Sequence, residues 1–344
     1  MIDILAANAE KTELRDRPTA ESLAAVREAG AFRLAVTGVS ATEVAGLLTT
    51  VGRGCASTAW IAGTCLAAKT LAALAYPEAV LAELFADPDA LFCGSGVPGG
   101  TGTRGPDGVR LTGRWPNVSG CEDAAWGGFG ALVDGVFSLV QVPMADLTVD
   151  RTWQMAGMRG TGSHSVVADD VLVPAERIGT LQLPPSPLTL QLFGLSVLAP
   201  VVGATFAGLD VMNAVFASDR KPFMTAYTKM GDSPGARHWL AEATTLTERA
   251  ERTMLAIAAE IDTGAELSER DASRLHLNMT EAGRDCRAAV ELLLDLHGAS
   301  GFRTSNPLQR IWRDVAVGGR HPHLNTYLAM EGYGEVLARS GQGT

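Results

Sequence analysis

Apolar and polar positions along the chain fall into three textures. From residue 1 to about 90 the pattern is helical. Ala20 to Arg27 consists of strong helix formers, and Gly30 stands where that helix can end. Ser40 or Thr42 offers a cap for a second helix through Glu43-Val44-Ala45. Ala59 to Ala75 is apolar nearly all round, which predicts a helix buried among other helices. From about Leu91 to Arg177, glycines, prolines and β-formers take over. Gly108 to Trp115 alternates with period two, and Gly130–Val133 and Val136–Val142 read as strands joined by an Asp134-Gly135 hairpin turn. Ser165 to Val173 reads as a further pair of strands. Beyond the proline-rich Leu183–Pro187, long amphipathic segments return: Leu192–Phe216 with Pro200 as a kink point, Ala236–Thr263, Glu269–Leu296 and Pro307–Arg339.

This order predicts an α+β, mainly α, fold. A helical domain covers residues 1–90, a central antiparallel β domain 91–180, and a helical bundle of four long helices 181–344. Strands gathered in one block argue against alternating βαβ units. Gly94-Ser95-Gly96 and Gly99-Gly100 lack the strand–GxGxxG–helix context of a phosphate loop.

Composition narrows the function classes. Charged residues are 19% of the chain and apolar ones 47%, the balance of a globular enzyme with a large core. Net charge is −10 with no basic patch, so no nucleic-acid partner is expected. No uncharged apolar stretch of about 18 residues or more is read, so no membrane span is expected. Met1-Ile2-Asp3-Ile4-Leu5 has no basic region ahead of an apolar run, so no secretion signal is expected and the default location is cytoplasmic. Cys55, Cys65, Cys93, Cys121 and Cys286 have no CxxC spacing. They predict buried free thiols, with neither a metal site nor a disulfide framework.

Four motifs carry chemistry. Gly54-Cys55-Ala56-Ser57-Thr58-Ala59-Trp60 resembles a GxxSTxW stretch. Leu111–Trp115 followed by Ser119-Gly120-Cys121 resembles LSGRW…SGC. Trp153 to His164, ending in Asp170–Pro174, looks like W…GLRGTGSHD…DVFVP. Asn306 to Asp314 matches NPLQRxxRD. In this order, over about residues 20 to 335, the motifs resemble those of the group D flavin-dependent monooxygenases, oxygenase components with the acyl-CoA dehydrogenase fold.

The resemblance implies a two-component system. A separate reductase supplies reduced FMN or FAD, O2 is co-substrate, and a small organic substrate, first of all a phenolic or polycyclic aromatic, is oxygenated. It implies Ser119 at the flavin edge, and Thr161 and Ser163 on a second flavin-edge loop oriented by Arg159. His321 is implied as the proton-handling residue facing substrate. Gly298, Gly301 and Phe302 resemble a turn that meets the flavin tail across a subunit contact, and a homotetramer or homodimer is implied. Arg220, Lys221, Arg310 and Arg313 offer cations to a flavin phosphate, and Arg313 has the alternative of pairing with an acid. Lys69 and Asn117 depart from the resembled pattern at pocket positions. Lys69 binds an acidic substrate group, acts as an acid of lowered pKa, or points outward. Two competing readings stand: an acyl-thioester dehydrogenase or oxidase, against which Arg320-His321-Pro322-His323 offers no carboxylate base, and a dehydrogenase-like protein without redox chemistry.

Overall fold

Side-chain caps open two early helices of the structure, a computed structural model that describes residues 1–36, 38–181 and 185–340. Thr19 caps α2 (Ala20–Glu28), and Ser40 and Glu43 form a reciprocal capping box on α3 (Ala41–Gly54). With α1 (Ile2–Leu14), α4 (Ala56–Ala75) and α5 (Glu78–Leu84) they make the first helical block. Leu183 and Pro184 of the expected linker lie outside the described residues.

The strands are β1 (Phe92–Gly105), β2 (Gly108–Val118), β3 (Trp126–Val133), β4 (Val136–Pro143), β5 (Thr148–Asp150), β6 (His164–Val173) and β7 (Ile178–Gly179). They form one sheet in the order β5-β6-β2-β1-β3-β4-β7. Asp134 and Gly135 turn the β3–β4 hairpin with φ of 49° and 82°, both left-handed as a two-residue hairpin requires. Two expectations need correction. The sheet is not wholly antiparallel, because β1 runs parallel to β3. Ser165–Val173 is not a pair of strands but lies in the single strand β6. Its Asp169-Asp170 step makes a bulge in the pairing with β2 instead of a turn, with Asp170 at φ 51°.

Three long helices follow, α6 (Pro187–Ala217), α7 (Pro234–Asp262) and α8 (Glu269–His297), with the shorter α9 (Pro307–Gly318) and α10 (Thr326–Ser340) after them. The expected helix over Pro307–Arg339 is thus two helices. Gly318-Gly319 ends the first, and Pro322, which has no N–H to donate, opens a 3-10 turn over Pro322–Leu324. The premise of the membrane expectation, that no long apolar stretch is present, needs correction. Both α4 and α6 are long and apolar enough to cross a bilayer. In α6, however, 83% of the most apolar window is buried inside the fold, among α3, α4, α7, α8 and α9. Small residues allow this packing. A Cβ on Gly63 of α4 would lie 2.1 Å from the Ser196 carbonyl oxygen of α6. That carbonyl has no intrahelical N–H to accept because the residue four ahead is Pro200.

Candidate functional site

Strand register brings the predicted hydroxyls together. Val118 at the end of β2 pairs with His164 at the start of β6. The residues just beyond each end, Ser119 and Ser163, therefore meet, with their Oγ atoms 2.8 Å apart. The Gly120 N–H donates to the Thr161 carbonyl at 2.8 Å and ties the loops a second time. Arg159–Thr161 makes a single 3-10 turn between Met158 and Gly162, both left-handed at φ 52° and 49°. Glycine takes that conformation freely, whereas Met158 needs outside support. Its N–H donates to Asp314 Oδ1 at 2.6 Å, and its carbonyl accepts from Thr161 Oγ1 at 2.8 Å and Trp153 Nε1 at 3.0 Å. Thr161 Oγ1 also lies 2.7 Å from Ser163 Oγ. Thr161, Ser163 and Ser119 are buried and form one hydroxyl chain starting on the Met158 carbonyl.

The chain faces a cavity of about 710 Å³. Asn117 and His321 line it too, with Trp60, Trp115 and Trp153 as aromatic walls. Trp60 is a site residue whose role the sequence reading missed, although it closes the GxxSTxW motif. A smaller apolar cavity of about 310 Å³ adjoins it, walled by Phe137, Leu139, Phe193 and Val197. Thr64, Gly94, Ser95 and His321 line both.

His321 meets the edge of Trp60 at 5.3 Å between centroids and stacks on His323 at 5.4 Å. On an α-helix residues two apart face different sides; the 3-10 turn brings these two rings together. The His323 N–H points to His321 Nδ1 at 3.4 Å, which leaves the ring proton on Nε2. Burial, and then the neighbouring His323, push the His321 pKa down to about 4. At neutral pH the imidazole is therefore uncharged and presents its Nε2–H as a hydrogen-bond donor.

Asp314 supports the turn from below. Burial raises its pKa from 3.8 to about 6, against the opposing effect of the Met158 N–H. The sign follows from linkage. Its ionised form is disfavoured in the fold, so the penalty is absent below about pH 4 and grows as pH rises to about 6, towards about 3 kcal/mol. Asp314→Asn keeps an acceptor for Met158 without the charge. It is expected to melt like the native protein near about pH 4 and to gain about 1–3 kcal/mol near about pH 7.5. Thermal melts at both pH values check this.

Lys69 is not a pocket residue and does not point outward. It is fully buried, and its Nζ donates to the Phe32 and Pro88 carbonyls at 2.7 Å each, above the Phe92 ring. Burial lowers its pKa. It staples two loops to α4. Lys69→Met is expected to cost about 1–3 kcal/mol for each carbonyl left bare, with substrate KM unchanged. Melting and a substrate titration test the two halves of that expectation.

The predicted cations stand outside this cavity. Arg159 pairs with Asp16 at 2.9 Å. Arg313 pairs with Glu13 at 2.5 Å and also donates to the Ala156 carbonyl, so its fork is taken by an acid and the backbone. Arg310 lines a separate cavity of about 350 Å³ beside the start of α4 and has no hydrogen-bond or ion-pair partner among the described residues. Arg220 spends its donors on the turn after α8: on His297 Nε2 at 2.8 Å, the His297 carbonyl at 2.5 Å and Ser300 Oγ at 3.0 Å. Lys221 is exposed. Within that turn Gly298 has φ 75°, Gly301 is buried, and the exposed Phe302 meets the Trp312 ring edge-on at 5.6 Å.

The chain is similar to several known proteins. The family described as acyl-CoA dehydrogenase, C-terminal domain, matches residues 195–326. The oxygenase component of an FADH(2)-dependent resorcinol hydroxylase from Rhizobium sp. (strain MTP-10005) is 29% identical over 94% of this chain and 88% of its own length. The flavin-dependent monooxygenase oxygenase subunit HsaA of Rhodococcus jostii (strain RHA1) is 27% identical over 93% of this chain and 92% of its own. Among solved structures, XiaF from Streptomyces sp. in complex with FADH2 and glycerol superposes with a TM-score of 0.88 at 27% identity, covering 97% of this chain and 91% of that one.

Proposed function

Since the chain is an acyl-CoA dehydrogenase-fold protein whose relatives are flavin-dependent monooxygenase oxygenase components, we propose that it is the flavin-using oxygenase of a two-component system acting on a small aromatic substrate. One observation carries the reading. The larger cavity gathers an oriented hydroxyl chain and a neutral histidine, and no aspartate or glutamate is among the described residues lining it. An acyl-thioester dehydrogenase needs a carboxylate there to take the α-proton, so oxygenation is favoured over that alternative.

The cavity fits a flavin. Its volume suits a fused three-ring system between tryptophan walls, and among the described residues Ser119 Oγ has only Ser163 as a hydrogen-bond partner. Reduced FMN or FAD, when bound, supplies the electrons that activate O2, one atom of which enters the substrate. The rest is the work of the chain. Ser119 would accept a hydrogen bond from the ring edge, the tryptophans would exclude water, and the adjoining apolar cavity would hold the aromatic substrate with His321 on the shared wall. His321 donates from Nε2 to oxygen as negative charge develops. Phenolic and indolic rings suit that cavity, in keeping with the resorcinol and indole-3-acetate in the names of two relatives.

A separate reductase is the proposed partner. The nearly bare Phe223 and Met224, 91% and 89% exposed, support a homotetramer or homodimer. Five free, buried cysteines suit a reducing compartment, and the cytoplasm is the proposed location. The test mixes the protein anaerobically with reduced FMN or FAD, admits O2 and a panel of phenols and indoles, and follows absorbance and products. Oxygenated product supports the reading. A bound oxidised flavin bleached by acyl-CoA overturns it in favour of a dehydrogenase, and the absence of flavin binding leaves the non-redox alternative.

A further inference from the structure

The direction of each hydrogen bond in the hydroxyl chain is fixed by its first member. A carbonyl oxygen only accepts, so at 2.8 Å the Thr161 hydroxyl must donate to the Met158 carbonyl. With its proton used there, Thr161 Oγ1 can only accept at its 2.7 Å contact, and Ser163 must donate to it. Ser163 then has no proton left for Ser119, so at 2.8 Å Ser119 is the donor and Ser163 the acceptor. Any other order sets two lone pairs against each other at hydrogen-bond distance in a buried site. All three side chains are buried, at most 7% exposed. The Met158 carbonyl is itself held, through the Asp314 bond to its N–H and the Trp153 indole on its oxygen.

Ser119 is left with lone pairs alone to offer the cavity. N5 of an oxidised isoalloxazine is a hydrogen-bond acceptor, and two-electron reduction puts hydrogen on it and makes that position of the ring edge a donor. Resting on the flavin reading above, we propose that Thr161 and Ser163 are positioning residues that lock the Ser119 hydroxyl as an acceptor and so make the cavity select reduced over oxidised flavin. The chain releases the flavin once its electrons are spent, and neither residue need touch the ring.

The experiment measures dissociation constants of oxidised and dithionite-reduced FMN and FAD by tryptophan-fluorescence titration, the reduced forms anaerobically. The native protein is expected to bind reduced flavin about tenfold tighter or more, one hydrogen bond's worth. For a two-electron couple, a tenfold preference raises the bound midpoint potential by about 30 mV. Thr161→Val, similar in volume, frees Ser163 to donate to Ser119 and Ser119 to donate to the ring. The preference is expected to fall to about one- to threefold, mainly through tighter binding of the oxidised form. Ser163→Ala gives the same collapse and carries the test if the valine variant does not fold. Thr161→Ser keeps the chain and the preference. Variants that weaken both redox forms equally, or leave the ratio at its native value, overturn the proposal. Native protein that binds both forms equally sinks the relay alone, and native protein that binds neither sinks the flavin reading beneath it.

Discussion

Replacing His321 with alanine is expected to lower substrate oxidation by about 10²–10³-fold, the cost of removing one donor aimed at developing charge. Flavin binding is expected to change little, so oxygen consumption continues and its product shifts to peroxide. Product formation against peroxide release, at fixed reduced-flavin supply, measures the split. The His323 N–H on Nδ1 makes His321 a donor through Nε2, and the Trp60 edge and the His323 stack hold the ring in place. The pH dependence is a second arm. With the pKa held at about 4 by burial, the imidazole stays neutral from about pH 5 upward, and its contribution falls only as pH drops through about 4. His321→Gln, which keeps an N–H, is expected to recover part of the loss. An activity limb centred near pH 6–7 that vanishes in the alanine variant would restore the titrating-base role and remove the donor assignment.

The second large effect is at Gly157. A Cβ there would lie 2.1 Å from the Arg313 carbonyl oxygen and 2.4 Å from its carbon, both backbone atoms of α9. Backbone in mid-helix cannot yield as a flexible side chain can, so the segment carrying Met158 and the helix carrying Asp314 must part. Gly157→Ala is expected to cost about 3 kcal/mol or more and to abolish oxygenation, because the Asp314–Met158 bond and the hydroxyl chain above it lose their support. Gly334→Ala is the matched control. Gly334 sits inside α10 with nothing within 4 Å of an added Cβ, and the same substitution there is expected to stabilise by about 0.5–1 kcal/mol. Denaturant midpoints for the two variants should move in opposite directions.

Local signals carried the parts of the site that lie close in sequence. Ser119 and Ser163 flank strands whose alternation was readable, and Asp134-Gly135 announced its hairpin. What could not be read depends on distant partners. Lys69 looked like a pocket cation because nothing near it in sequence names the carbonyls of Phe32 and Pro88. Arg313 and Glu13 meet across almost the whole chain. Strand β1 escaped notice because its glycines have low strand propensity. They are small because neighbours crowd them: a Cβ on Gly94 would lie 2.2 Å from the Gly128 carbonyl oxygen, and one on Gly100 2.7 Å from the Trp115 ring. His321 was found by its place in a motif, but the burial that keeps its ring uncharged and the stack that a 3-10 turn creates were not legible there.

The burial of α6 has a consequence for how the protein is made. Residues Pro187–Leu209 carry no charged side chain, and α7, α8 and α9, which cover one side of this helix, lie downstream of it. At ribosomal speeds of about 5–20 residues per second, those partners arrive seconds later. Helices α3 and α4 are already synthesised, and their glycines fit it closely: a Cβ on Gly52 would lie 2.7 Å from the Pro200 carbonyl oxygen. Gene order thus gives the nascent helix a waiting dock, and a chain rearranged to begin at α6 would expose it to chaperones and bilayers first.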